Sequence, residues 1–118
     1  MSTASITMQN ERLPLKERGR IVFIQLEQVD YLKAFGNYVR VHAGKQVYMV
    51  RDKLSAFENR LQGRDFVRIH RSVIVNRHRI SELRPWFTGE YVVILDSGQE
   101  LTLSRGYRHQ LQLLRSLF

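Results

Sequence analysis

The sequence predicts a mainly β fold of small antiparallel sheets with short helices, and three observations carry that expectation. From Gly19 onward the chain runs through short apolar segments rich in Val, Ile, Tyr and Phe, broken repeatedly by glycine-bearing turns, the pattern of paired strands. Residues 38–43 alternate, with Val39 and Val41 on one face and Tyr38, Arg40 and His42 on the other, as a strand with one buried face does. Helical spacing is confined to two brief stretches, Leu54, Phe57 and Leu61 and then Tyr107, Leu111, Leu114 and Phe118.

Taken in order, residues 1–18 mix small polar and charged side chains with Pro14 and sustain neither period. They are expected to form a flexible leader or interdomain linker, with Ile6, Met8, Leu13 and Leu15 able to lie against a domain spanning 19–118. Strands are expected over 21–25 and 29–35, and Gly36-Asn37 breaks the run before 38–43. Ala43-Gly44-Lys45 turns the chain into 46–50. Asp52 is placed to cap a short packing helix that Gly63 ends. Extended structure resumes over 66–69 and again over 80–83, with Pro85 marking an end or an edge. Residues 91–95 and 99–103 flank Asp96-Ser97-Gly98 as a hairpin, and Ser104 is placed to cap a final helix.

A chain of 118 residues is long enough for one domain with one core. Nineteen Lys and Arg against eleven acids give a formal charge of +8 at pH 7. Most of these cations are Arg, whose planar fork suits phosphate oxygens and the guanine edge. The absence of Cys excludes disulfides, thiolate metal sites and cysteine nucleophiles. No Walker-type phosphate loop occurs, His42, His70, His78 and His109 lack metalloprotease spacing, and nothing orients Ser72 or Ser104 toward a base. The expectation is therefore a protein without catalysis, metal or cofactor. No run approaches the ~18 apolar residues of a membrane span, and no signal sequence is visible, so the cytoplasm is the default compartment.

Residues 64–84 concentrate the candidate chemistry. They hold six Arg and two His against two acids, threaded with Phe66, Val67, Ile69, Val73, Ile74 and Val75, which reads as a basic surface anchored in a core. Arg68 and His70 share one side of an extended segment, and Arg71 falls where strand gives way to turn. Arg68 reads as a solvated residue, a partner for an acid such as Asp65, or a ligand-facing cation. His70 reads as a structural histidine bonding backbone or as part of the same surface. Arg71 stands at a tip, and Asn76 suits a cap or turn. Arg77, His78 and Arg79 form a short exposed cluster suited to phosphate. Asn37, beside Tyr38 and Arg40, is a turn former that can also read adenine, while Arg105 and Arg108 lie at the start of the last helix. Trp86 and Phe87 read as core or edge packing.

These residues carry a resemblance. FVRIHRSVIVNRHRISEL resembles the hallmark segment of the LytTR DNA-binding domain family, VDYLKAFGNYVRVH its first motif, VYMVRDKLSAFENRL the strand and helix that follow, and SGQELTLSRGYRHQL its closing pattern. The similarity runs from about Ile21 to Leu117. It implies an elongated, mainly β arrangement and a bacterial two-component-type output domain that reads successive major grooves of double-stranded promoter DNA through loops. By position it implies base contacts at Asn37, Arg71 and either Arg105 or Arg108, supported by Tyr38, Arg40, Arg68, His70, Arg77, His78, Arg79 and Ser104. Family sites are paired direct repeats, which implies two copies per DNA. Residues 1–18 are too few for the receiver domain usual in the family, so the resemblance implies a detached output domain or a stand-alone relative. Two other readings remain open on the residues alone: a basic module docking an acidic partner or surface without reading sequence, and a small barrel binding single strands.

Overall fold

The computed structural model describes residues 10–115. Ten strands form three antiparallel sheets. β1 (Arg12–Glu17) and β2 (Arg20–Gln25) make a two-stranded ribbon. β3 (Tyr31–Phe35), β4 (Tyr38–Ala43), β5 (Gln46–Val50), β6 (Phe66–His70) and β7 (Val73–Asn76) form a central sheet in the order β5-β4-β3-β7-β6. β8 (Ile80–Pro85), β9 (Tyr91–Leu95) and β10 (Glu100–Leu103) form a third, with β8 on one edge. The short helix α1 (Leu54–Arg60) joins β5 to β6, and α2 (Leu111–Arg115) follows β10 through a 3-10 segment, Arg105–Gln110. The ribbon and the third sheet pack on opposite faces of the central sheet, in a body of 43 × 42 × 25 Å.

The central sheet is buried on both faces, and this explains the continuous Val73-Ile74-Val75 run. Ile74 points with Leu32, Val39 and Val41 toward the β1–β2 ribbon and Phe57 of α1. Val73 and Val75 point with Val67 and Ile69 toward Val93, Leu95, Leu103 and Leu114. A strand covered on one side alone alternates in polarity; one covered on both does not. The single expected core is thus two clusters divided by one sheet. Asn76 ends β7 fully buried, its amide donating to the Val29 carbonyl (2.8 Å) while its side-chain oxygen accepts from the His78 N–H (2.9 Å). It caps the 3-10 turn Arg77–Arg79, as its position suggests.

The largest departure from expectation is β1. Part of the segment read as a linker is a strand, with Leu13 and Leu15 buried against the central sheet. Glu17 is buried too, accepting the Met49 N–H of β5 at 2.9 Å and facing Arg20 at 3.5 Å. Arg64 pairs with Glu11 at 2.9 Å, and Arg60 donates to the Pro14 carbonyl at 2.7 Å. Residues 1–9, including Ile6 and Met8, lie outside the described residues, as does Phe118. Two expected caps also differ. Asp52 accepts only the adjacent Lys53 N–H (2.8 Å), and α1 starts without a side-chain cap. Ser104 uses its backbone carbonyl to accept the Tyr107 N–H (2.9 Å), and the last helix begins as a 3-10 segment broken at Tyr107.

Candidate nucleic-acid interface

Three connections meet along one edge of the molecule. The first is the Gly36-Asn37 turn between β3 and β4, where Gly36 adopts φ +59 and Asn37 is exposed. Tyr38 is partly exposed beside it, and the Arg40 guanidinium sits over the Phe35 ring, 4.0 Å from its centroid. That cation–π contact orients Arg40 along the turn. The second connection is the Arg71-Ser72 turn between β6 and β7. The Ala34 N–H donates to the Ser72 carbonyl (2.8 Å), stitching this turn to the end of β3 and hence to the first. Asn37 and Arg71 consequently line one open groove of ≈ 650 Å3, together with Arg51 and Lys53 from the β5–α1 connection.

The third connection is the start of the 3-10 segment after β10. The β6–β7 register shifts between Arg68 and His70, a bulge that leaves Ile69 unpaired across the strands. The Ile69 carbonyl instead accepts the Ser104 N–H at 2.9 Å. Arg105 and Arg108, both exposed, are thereby held next to the end of β6.

Arg68 shapes the middle turn from within. Its Nη1 pairs with Glu58 of α1 at 2.8 Å, its Nε donates to the His70 carbonyl at 3.0 Å, and its Nη2 donates to the Arg71 carbonyl. The side chain is only 14% exposed. Arg68 is a clamp on the turn, its acid partner being Glu58 and not Asp65. His70 completes the clamp: its Nδ1 accepts the Ser72 N–H at 3.1 Å and lies 3.0 Å from Ser72 Oγ. An accepting Nδ1 requires the neutral ring. Burial, and then the cations Arg71, Lys33 and Arg68, lower the His70 pKa below its usual 6.5, with Glu90 acting in the opposite sense.

The Arg77–Arg79 cluster is turned inward more than its composition suggests. Arg77 pairs with Asp65 (3.0 Å) and donates to the Leu113 carbonyl of α2, His78 contacts Asp65 at 2.6 Å, and Arg79 donates to the Glu27 carbonyl. Arg77 and Arg79 are partly buried and His78 is the most exposed of the three, so the reading of an exposed cluster is corrected. Trp86 and Phe87 depart the other way: expected to pack, they are 56% and 75% exposed. The sequence reading missed Arg51 and Lys53, two cations flanking Asp52 where a strand passes into a helix. Among the described residues, no group of three or more His, Cys, Asp or Glu is placed to hold a metal ion, and no helix is long and apolar enough to cross a membrane.

Residues 19–115 match the family model described as the LytTr DNA-binding domain. The chain belongs to the LytTR family. LytTR domains are non-catalytic DNA-binding modules of bacterial two-component transcription regulators, and the mainly β arrangement described above is theirs. The sensory transduction proteins LytT of Bacillus anthracis and Bacillus subtilis are 32% and 33% identical to this chain, over 94% and 87% of it. The transcriptional regulatory protein LytR of Staphylococcus aureus is 28% identical over 83%. The chain spans less than half the length of each, 45%, 43% and 40% respectively. A solved LytTr DNA-binding domain, from a putative methyl-accepting/DNA response regulator of Bacillus cereus, superposes with a TM-score of 0.76 at 26% identity. That comparison covers 87% of this chain and 94% of the other.

Proposed function

We propose that this LytTR domain binds double-stranded promoter DNA sequence-specifically, with Asn37, Arg71 and Arg105 or Arg108 testing base edges in successive grooves. The observation that carries the reading is the stitching of three turns to one edge: Ala34 to Ser72 joins the first two, and Ser104 to Ile69 joins the third. Each turn presents a side chain with base-reading chemistry, Asn for adenine and Arg for guanine. Arg68 and His70 act beneath Arg71 as supports. Tyr38 and Arg40 flank Asn37, and Arg51 and Lys53 supply phosphate contacts in the groove between the first two turns. Arg77, His78 and Arg79, engaged by Asp65 and backbone carbonyls, contribute positive field more than direct contact. Two copies on paired direct repeats complete the mode, within a two-component regulator in the cytoplasm.

Selection of bound duplexes from a random library tests this directly, the expected result being a repeated half-site spaced by about one helical turn. On that site Arg71→Ala should lose about 1–3 kcal/mol of discrimination against scrambled duplex. Equal weakening toward both duplexes removes the base-reading role from Arg71. Weak binding indifferent to every sequence points instead to a basic module with an acidic partner.

A further inference from the structure

The β8–β9 loop ends in two aromatic rings that no core accounts for. Trp86 and Phe87 meet edge to face, with centroids 5.1 Å apart and planes at 64°, and stand 56% and 75% exposed. Two adjacent rings exposed to this degree leave apolar surface in water without internal compensation. The backbone holds them out firmly. Trp86 donates its N–H to the Glu90 carbonyl at 2.8 Å, closing the loop, while Thr88 and Gly89 both adopt left-handed conformations at φ 59 and φ 85. A β-branched residue is strained at positive φ, and such strain persists where the surrounding structure fixes it.

The position of the loop indicates what covers the rings. A Cβ built on Gly89 stands 3.4 Å from Cγ of Arg105 and 3.4 Å from Nη1 of Arg108, so the loop lies directly against the side chains of the third connection. The one acid of this loop, Glu90, lies near enough to His70 to favour its charged form. The turn that carries Phe87 therefore packs against the Arg105–Gln110 segment, and the loop of the two rings adjoins the third connection. An apolar pair carried by a loop that packs against two exposed arginines complements a polyanion that also offers carbon surface, which duplex DNA does through its deoxyribose rings and thymine methyls.

We propose that Trp86 and Phe87 form a fourth DNA-contacting element, packing on sugar and base-edge carbon of the duplex beside the segment held by Arg105 and Arg108. This rests on the reading of the edge where the three connections meet as the DNA-binding edge. It extends the footprint past the third connection and adds a contact that is insensitive to salt.

Trp86 is the single tryptophan of the chain, so its emission reports this site alone. The full chain is titrated with a duplex recovered from random-library selection, anisotropy of a labelled copy measuring binding and acrylamide quenching with the unlabelled copy measuring access to the indole. Binding is expected to shield the indole, and Phe87→Ser is expected to weaken binding about five- to tenfold with an unchanged Tm. Rising anisotropy with an indole as accessible as in the free protein overturns the contact and leaves the DNA reading intact. Failure of the selection to enrich any duplex removes both. Shielding that grows with protein concentration in the absence of DNA assigns the rings to a second copy and overturns the proposal.

Discussion

At the scale of single residues, Arg68 and His70 decide the form of the Arg71 turn. Arg68 commits its guanidinium to two successive carbonyls and Glu58, a use that the compact ammonium of lysine does not reproduce. Arg68→Lys should therefore weaken binding of a selected duplex nearly as much as Arg68→Ala does, and denaturant unfolding should show Arg68→Ala about 1–3 kcal/mol less stable. Full affinity in Arg68→Lys would mean that charge, and not the fork, is what matters at this position. His70 and His42 give a pH signature. His42 stacks on Tyr31 with centroids 4.1 Å apart, and burial, followed by Arg40, lowers its pKa below 6.5 despite Asp30. Above 6.5 both histidines are neutral in the folded and unfolded chains, and their contribution to stability is complete. Below it the unfolded chain takes up protons that the fold resists, so stability falls with pH. Thermal melts at pH 7.5 and 5.5 should show that drop. It should shrink in the doubly substituted protein His42→Gln, His70→Asn, where the amide introduced at position 70 supplies an acceptor for the Ser72 N–H without titrating; an unchanged drop would assign the effect to other groups.

At the scale of elements, what the sequence disclosed depended on how local the determining contacts were. β4 and β5 fall where residues 38–43 and 46–50 were expected, because alternation and the Ala43-Gly44 turn define them within a dozen residues. β1 escaped notice because Pro14 and the charges around it hide a Leu13, Leu15 alternation that makes sense only against the central sheet. Pro14 is tolerated there because β1 pairs with one neighbour only, an edge position where a missing N–H need not break a ladder on both sides. The β1 ribbon is part of the fold, and Leu15→Ala should cost about 2–5 kcal/mol in denaturant unfolding; a loss near zero would return this segment to the status of a linker. The inward turn of Arg77 was equally hidden, since its partners Asp65 and Leu113 stand 12 and 36 positions away. Trp86 and Phe87 were misplaced for a different reason: hydrophobicity alone does not say whether a ring is covered by its own chain or by something else. Asn37 and Arg71 were legible as turn residues and Arg105 as a helix-start residue, whereas the approach of the third connection to the first two depends on the Ile69 bulge, which leaves no trace in the sequence.

At the scale of the molecule, one sheet with a core on each face fixes where the three turns stand relative to one another. A net charge of +8 on a body of these dimensions draws polyanions from a distance but is screened beyond about 8 Å at physiological salt. If about four phosphates are engaged, affinity for a selected duplex should fall about a hundredfold between 50 and 200 mM salt. A flat salt response would be inconsistent with phosphate contacts at Arg51, Lys53 and whichever of Arg105 and Arg108 does not read a base.

The Arg68 clamp grips main-chain carbonyls and leaves the side chain at position 71 untouched. The shape of the turn is thus set by α1 and β6, independently of which residue occupies its tip. The domain is built as a holder with an exchangeable bit: under the base-reading role proposed for Arg71, a different side chain there would alter the preferred DNA letter while the holder kept its form, a route to retargeting without redesigning the protein beneath it.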